Sequence, residues 1–233
     1  MADAARAVKR FYKEATVDEG RRILLGGRPV KTPGRSDLAL PTDALAEAVA
    51  DEWNAQEERI DPRAMPLTGL ANAAIDRIAP DPAAFARGLA AYGETDLLYY
   101  RAEGPAPLVR RQAERWDPIL AWAQQRYDTV FELATGIMHM RQPGETVTRL
   151  KAAVAARDAF ALAGLSPLVT VSGSLLIALA LAEGALALDA AWAAAALDEQ
   201  WQAEQWGEDA EAAAALAARR RDFEAAARFL ALL

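Results

Sequence analysis

A chain of 233 residues, 53% hydrophobic and 25% charged, is long and apolar enough to bury a substantial core, and its alanine excess favours helix. A formal net charge of -7 argues against a nucleic-acid binder, because neutralising phosphates takes clustered Lys and Arg. The absence of cysteine removes disulfides, thiolate nucleophiles and sulfur-ligated metals, and fits a reducing compartment.

Met1 to Glu14 has no apolar segment of the kind a secretory signal needs. From Phe11 to Leu40 the pattern is β-like. The runs Tyr12 to Val17, Arg22 to Leu25 and Arg28 to Lys31 are separated by Asp18-Glu19-Gly20 and Gly26-Gly27, and the paired glycines are a hairpin signal. At Thr42 the period changes to that of a helix. Thr42 is placed as its N-cap, Asp43 lies in the first turn, and Leu45, Val49 and Trp53 recur every four residues, so this helix is expected to cover the sheet. Further helices are expected over Thr68 to Ile78 and Pro82 to Tyr92, with Asp96 to Arg101 as a strand.

Beyond that point the chain reads as almost wholly helical. The expected segments are Leu108 to Trp116, Pro118 to Tyr127, Thr146 to Ala163, Pro167 to Glu183, Ala190 to Trp206 and Asp209 to Leu232. Asp117 before Pro118 has the form of a helix start, and Val130 to His139 reads as a β excursion or a loop. The pattern predicts an α+β fold: a small antiparallel β-rich N-terminal domain with covering helices over residues 1–90, then an all-helical domain over residues 91–233. The run Leu168 to Leu188 contains Ser172, Gly173, Ser174, Glu183 and Gly184, which reads as a buried helix rather than a membrane span.

Few motifs carry chemistry. Gly26 to Thr32 ends in Lys31-Thr32 but has Val30 where a phosphate-binding loop needs glycine, so no nucleotide site is assigned. Ser172-Gly173-Ser174 lacks the spacing of a nucleophile elbow, and the single histidine, His139, sits between Met138 and Met140 as a histidine in or near an apolar segment. No catalytic residue, metal or cofactor is assigned. What remains is Gln200 to Ala212, where Trp201 and Trp206 meet Glu208, Asp209 and Glu211 around Gly207. Large rings beside carboxylates suit a protein-binding face; the alternative role of the acids is to start the next helix, where its dipole favours negative charge.

Several elements resemble one family in order along the chain. They are Arg10-Phe11-Tyr12-Lys13, Leu25-Gly26-Gly27-Arg28-Pro29-Val30-Lys31-Thr32-Pro33, Leu40-Pro41-Thr42, Glu52-Trp53-Asn54-Ala55-Gln56, Met65-Pro66-Leu67-Thr68, Asp96 to Arg101, Trp116-Asp117-Pro118 and Gln205-Trp206-Gly207-Glu208. Together these are similar to the ATP-twelve chaperones, assembly factors for the α subunit of the F-type ATP synthase. The resemblance implies a non-enzymatic, ATP-independent chaperone that binds the α subunit and shields the interface later covered by the β subunit. It carries over more closely to Trp206, Gly207 and Glu208 than to Asp209 and Glu211. The expected contact residues are Trp206, Glu208, Asp209 and Glu211, with Trp53 and Arg101 on that surface or holding it together. No nucleic acid, nucleotide or membrane partner is expected. The place of action is the bacterial cytoplasm, or the mitochondrial matrix if a transit peptide has been removed. An enzyme using the carboxylates with a divalent cation, or a general adaptor, is the alternative.

Overall fold

The protein is described by a computed structural model over residues 8–136, 138–207 and 209–233. Gly26 and Gly27 have φ of 56° and 80°, the left-handed values that a two-residue hairpin turn takes at both central positions. They turn β2 (Ile23–Leu25) into β3 (Arg28–Pro29), with Leu25 opposite Arg28. On the other edge of β2, β1 (Ala15–Val17) runs antiparallel, with Ala15 opposite Leu25 and Val17 opposite Ile23. Ile23 and Leu25 face the core while Leu24 is half exposed, the alternation of a sheet covered on one side.

The strands are shorter than the runs that announce them. Tyr12 and Lys13 are held outside the ladder by the Arg10 guanidinium, which donates to the carbonyls of Tyr12 (3.2 Å), Lys13 (2.8 Å), Asn54 (3.3 Å) and Gln56. The far side of this clasp is the end of α1 (Asp43–Asn54), which covers β1 and β2 with Leu45 and Val49 buried and Thr42 accepting from the Leu45 amide. Asn54 grips β1 with both ends of its carboxamide, accepting from Ala15 N at 2.7 Å and donating to Ala15 O at 2.9 Å.

Glu52 reaches in the opposite direction. Its carboxylate accepts from Leu67 N and Thr68 N, both at 2.8 Å, and from Thr68 Oγ1 at 2.7 Å, capping α2 (Pro66–Ala73) from outside that helix. The helix continues as a π-helical turn, Ala74–Ile78, before α3 (Pro82–Ala90) and a 3-10 turn, Ala91–Glu94. Asp96 to Arg101 is not one strand. The Asp96 carboxylate bonds the Leu98 amide and curls Leu97–Tyr99 into a 3-10 turn, leaving only Tyr100–Arg101 as β4. β4 pairs in parallel with β5 (Ala134–Thr135), so the 130–139 region does carry a short strand.

The two helices expected around Pro118 are one, α4 (Ala106–Tyr127). Asp117 is therefore no N-cap; its carboxylate holds Arg101 instead. An interior proline costs about 3 kcal/mol, and the burial of Trp116, Ile119, Leu120 and Ala123 along one stripe offsets it. Downstream, one expected helix is two. Thr146 to Ala163 is split into α5 (Gly144–Ala155) and α6 (Ala159–Ser172), because Asp158 accepts from Ala161 N and starts a new helix that runs straight through Pro167. Gly173, at φ 68°, ends α6, and Ser174 caps α7 (Leu175–Ala182). Among the described residues no helix is long and apolar enough to cross a membrane.

The chain closes with α8 (Leu188–Ala195), α9 (Leu197–Trp206) and α10 (Ala210–Ala231). Leu175 to Ala180 of α7 are buried on every side, and α6 packs along α10. That approach is close at Gly164, where a Cβ would lie 2.7 Å from the Leu230 side chain. The architecture is α+β. We propose residues 1–90 and 91–233 as its division, with α2 and the π turn resting on α6, and α2 also on α10.

Glu52→Ala strands the two α2 amides and should destabilise the protein by about 2 kcal/mol. A urea midpoint within about 0.5 kcal/mol of wild type would contradict the capping role.

Candidate protein-docking surface

In α9 the spacing of Trp201 and Gln205, and of Gln202 and Trp206, puts two rings and two carboxamides on neighbouring rows of one helix. Only Leu197 of this helix is buried, so polar contacts hold it in place. Gln112 Nε2 donates to Asp198 Oδ1 at 2.9 Å, Arg219 bonds Glu199 at 2.6 Å, and Arg111 stacks 4.8 Å from the Trp201 ring while bonding both oxygens of Glu204 at 2.8 Å. The Arg111 guanidinium holds the Glu204 carboxyl below the usual carboxylate range.

Gly207, at φ 88°, then breaks the helix. Trp206 is left at its end, 80% exposed, the most exposed large apolar side chain among the described residues. Its ring stands between two grooves that share Gln202. One, of about 520 Å³, lies between α9, the start of α4 and the β4–β5 pair; the other, of about 710 Å³, lies between α9 and the first half of α10.

Asp209 lines the second groove and caps α10 by accepting from Ala212 N at 2.8 Å. The helix-starting role is thus realised at Asp209, while Glu211 is exposed in the first turn with no partner among the described residues. Glu208, the residue singled out with them, lies outside the described residues. Arg101 lines the first groove, yet its side chain is only 12% exposed. It bonds Leu98 O at 3.1 Å and Asp117 Oδ1 at 2.7 Å, and sits over the Trp116 ring, whose Nε1 donates to Ala194 O. Arg101 therefore builds the groove floor rather than offering a free charge.

Trp53 lines neither groove. It packs edge-on against Tyr12, 6.0 Å away, and its carbonyl accepts from Tyr12 Oη at 2.6 Å. Of the six tryptophans, Trp116 and Trp192 are buried and Trp53, Trp122 and Trp201 half-buried. His139 is not sunk in an apolar segment: it and its two methionine neighbours are exposed, and its Nδ1 lies 3.3 Å from Tyr100 Oη. Gln202, Gln205 and Tyr100 line the first groove as well; the sequence marks the segments that carry them, Gln200 to Ala212 and Asp96 to Arg101, but names none of the three as a contact residue.

The segment that carries Arg101 and Tyr100 is fixed from below by Asp96. This carboxylate is completely buried and accepts from Leu98 N and Leu176 N, both at 3.0 Å, at the N-terminus of α7. Burial pushes its carboxyl up to about 6, against the hydrogen bonds that favour the charged form.

The model of the ATP12 chaperone protein family matches residues 9–124. Atp12 from Paracoccus denitrificans is 44% identical, with 96% of this chain and 97% of that chain covered at a TM-score of 0.91. This chain belongs to the ATP12 chaperone family. A mutant form of the Paracoccus protein matches at 43% identity over the same shares and with the same TM-score. A candidate chaperone of Agrobacterium tumefaciens is also 43% identical, covering 96% of this chain and 85% of that one at a TM-score of 0.91. ATP12 proteins are chaperones of ATP synthase assembly, not enzymes, which removes the carboxylate-enzyme alternative for this member. Among the described residues no group of three or more His, Cys, Asp or Glu is placed to hold a metal ion.

Because the Asp96 carboxyl binds its proton more tightly in the fold than in the unfolded chain, the stability it contributes is complete below pH 3.8 and is lost as pH rises through about 6. Asp96→Asn should flatten the stability profile across that window by roughly 3 kcal/mol. Parallel pH profiles for the two proteins in urea titrations would refute the assignment.

Proposed function

We propose that this ATP12 chaperone binds the α subunit of the F-type ATP synthase through the face around Trp206, and shields the surface that the β subunit later covers. The exposed Trp206 ring carries the reading. An indole left in water at a helix end forgoes the burial of roughly 150–250 Å², worth several kcal/mol by area. A folded monomer gains nothing from that exposure, whereas a partner that covers the ring does.

The carboxylates are assigned to the rim. Asp209, the N-cap of α10, lines the α9–α10 groove with Trp206, Glu211 is exposed in the first turn of α10, and Glu208 precedes Asp209 in the chain. Exposed ion pairs contribute only about 0–1 kcal/mol each, so they set register and attract a basic client surface while the ring supplies most of the affinity. Arg101 holds the floor of the groove, and Trp53 is assigned a holding role in the N-terminal clasp.

No nucleotide is required for this cycle. A holder needs only to bind the free subunit more tightly than the assembled one, so that arrival of the β subunit displaces it. The cytoplasm, where a bacterial α subunit is made, is the proposed place of action.

Capture of purified α subunit by immobilised chaperone tests the reading. Trp206→Ala should weaken capture at least tenfold, about 1.4 kcal/mol or more, with an unchanged circular-dichroism melt. Glu208→Lys should weaken it by less and also leave the melt unchanged. Wild-type capture by Trp206→Ala would remove this face from the model.

A further inference from the structure

Apolar side chains left in water are unevenly spread over this molecule. Of the nine large ones exposed among the described residues, four stand close together in sequence, Val130, Leu133, Met138 and Met140, and Met138, 77% exposed, is second only to Trp206. The chain that carries them is firmly held. Thr146 Oγ1 accepts from Val130 N at 3.2 Å and donates to Val130 O at 2.7 Å, and the Gln142 carboxamide accepts from Glu132 N at 3.0 Å and donates to Glu132 O at 2.9 Å. Phe131 is turned inward onto Tyr99, 5.4 Å away, and Ala134 is buried in β5. Two buried polar side chains, Thr146 and Gln142, thus fix a backbone that leaves Val130 and Leu133 outward.

Because the backbone groups of Val130 and Glu132 are already bonded, this loop offers a partner side chains there rather than a free strand edge. Its charged members Glu132 and Arg141 are exposed and of opposite sign, so no excess charge selects a basic or an acidic partner. Thioethers on three rotatable bonds fit themselves to irregular apolar surfaces, and covering them is favourable by area. The partner chemistry that suits the loop is an apolar protein surface.

The loop adjoins the groove beside Trp206. Tyr100 and Gly136 line that groove together with Trp206, and Tyr100 Oη lies 3.3 Å from Nδ1 of His139, the residue between the two methionines. Gly136 N donates to Arg101 O at 2.8 Å, which bonds the loop to the groove floor.

We infer that the loop around Met138 and Met140 is a second anchor for the client, taking an apolar part of the same α-subunit surface that covers Trp206. This rests on the docking of the α subunit at the Trp206 face. Two apolar anchors joined by one groove fix the orientation of a client, which a single ring does not.

Peroxide footprinting of the full chain, alone and with purified α subunit bound, reads the loop directly, because an exposed thioether is oxidised to the sulfoxide and a covered one is spared. Met65 is buried in the fold and is the control that stays slow in both samples. Oxidation of Met138 should slow about fivefold or more in the complex, as covering an exposed sulfur requires. Met138→Ser combined with Met140→Ser should weaken capture of the α subunit about tenfold and leave the circular-dichroism melt unchanged, since both side chains lie at the surface.

Equal oxidation of Met138 in the two samples, or capture by the double variant within about twofold of wild type, would overturn the inference. Protection of Met138 in the chaperone alone as its concentration rises, with a doubled mass by light scattering, would make a second copy of this chain the occupant and overturn it equally. If Trp206→Ala loses the client while the double variant keeps it, the docking face stands and this inference alone falls. If Trp206→Ala binds as wild type, both fall together.

Discussion

The fold around the proposed docking surface depends on one buried carboxyl group. Asp96 has no access to water, so its carboxylate must be satisfied by the protein, and the amides it uses come from two places far apart in sequence. Leu98 N fixes the local 3-10 turn, and Leu176 N is an open amide at the start of the most deeply buried helix. The pairing locks the strand that carries Tyr100 and Arg101 to the helical core. A misplaced β4 would leave a buried carboxylate unbonded, which costs more than any surface contact returns.

Glu52 makes the same kind of bond in the N-terminal half, reaching from α1 to cap α2. Seen this way, much of the family signature is framework. Arg10 ties four backbone carbonyls, Asn54 grips Ala15 with both ends of its amide, and Gln56 is buried with its carbonyl on the Asp61 amide. Arg101 and Asp117 clamp the groove floor over Trp116. These side chains satisfy polar groups that the fold would otherwise leave to compete for partners. Trp206 is the exception, since its ring bonds no other described residue.

The difference between the two sets explains how a rigid body can present an adaptable face. α9 is held at its sides by ion pairs and a stacked arginine, while its last turn and the start of α10 carry little buried area. The core fixes where the ring is, and the loosely packed tip supports the proposal that a client settles against it. For a holder that must later let go, a few concentrated contacts on a preformed scaffold are a better solution than a large complementary interface.

Periodicity and turn chemistry by themselves determined the paired-glycine hairpin, the Thr42-capped helix and the helical second half, because each is encoded by neighbours within a few residues. The ordered motifs determined the family. Tertiary structure alone decided that Pro118 and Pro167 sit inside helices, that Asp117 pairs with Arg101 rather than capping, and that Asp96 curls a would-be strand. It also separated Trp206 from the buried tryptophans and brought Gln205 opposite Tyr100 across one groove. Those outcomes turn on burial and on hydrogen-bond partners many residues away, and local sequence records neither.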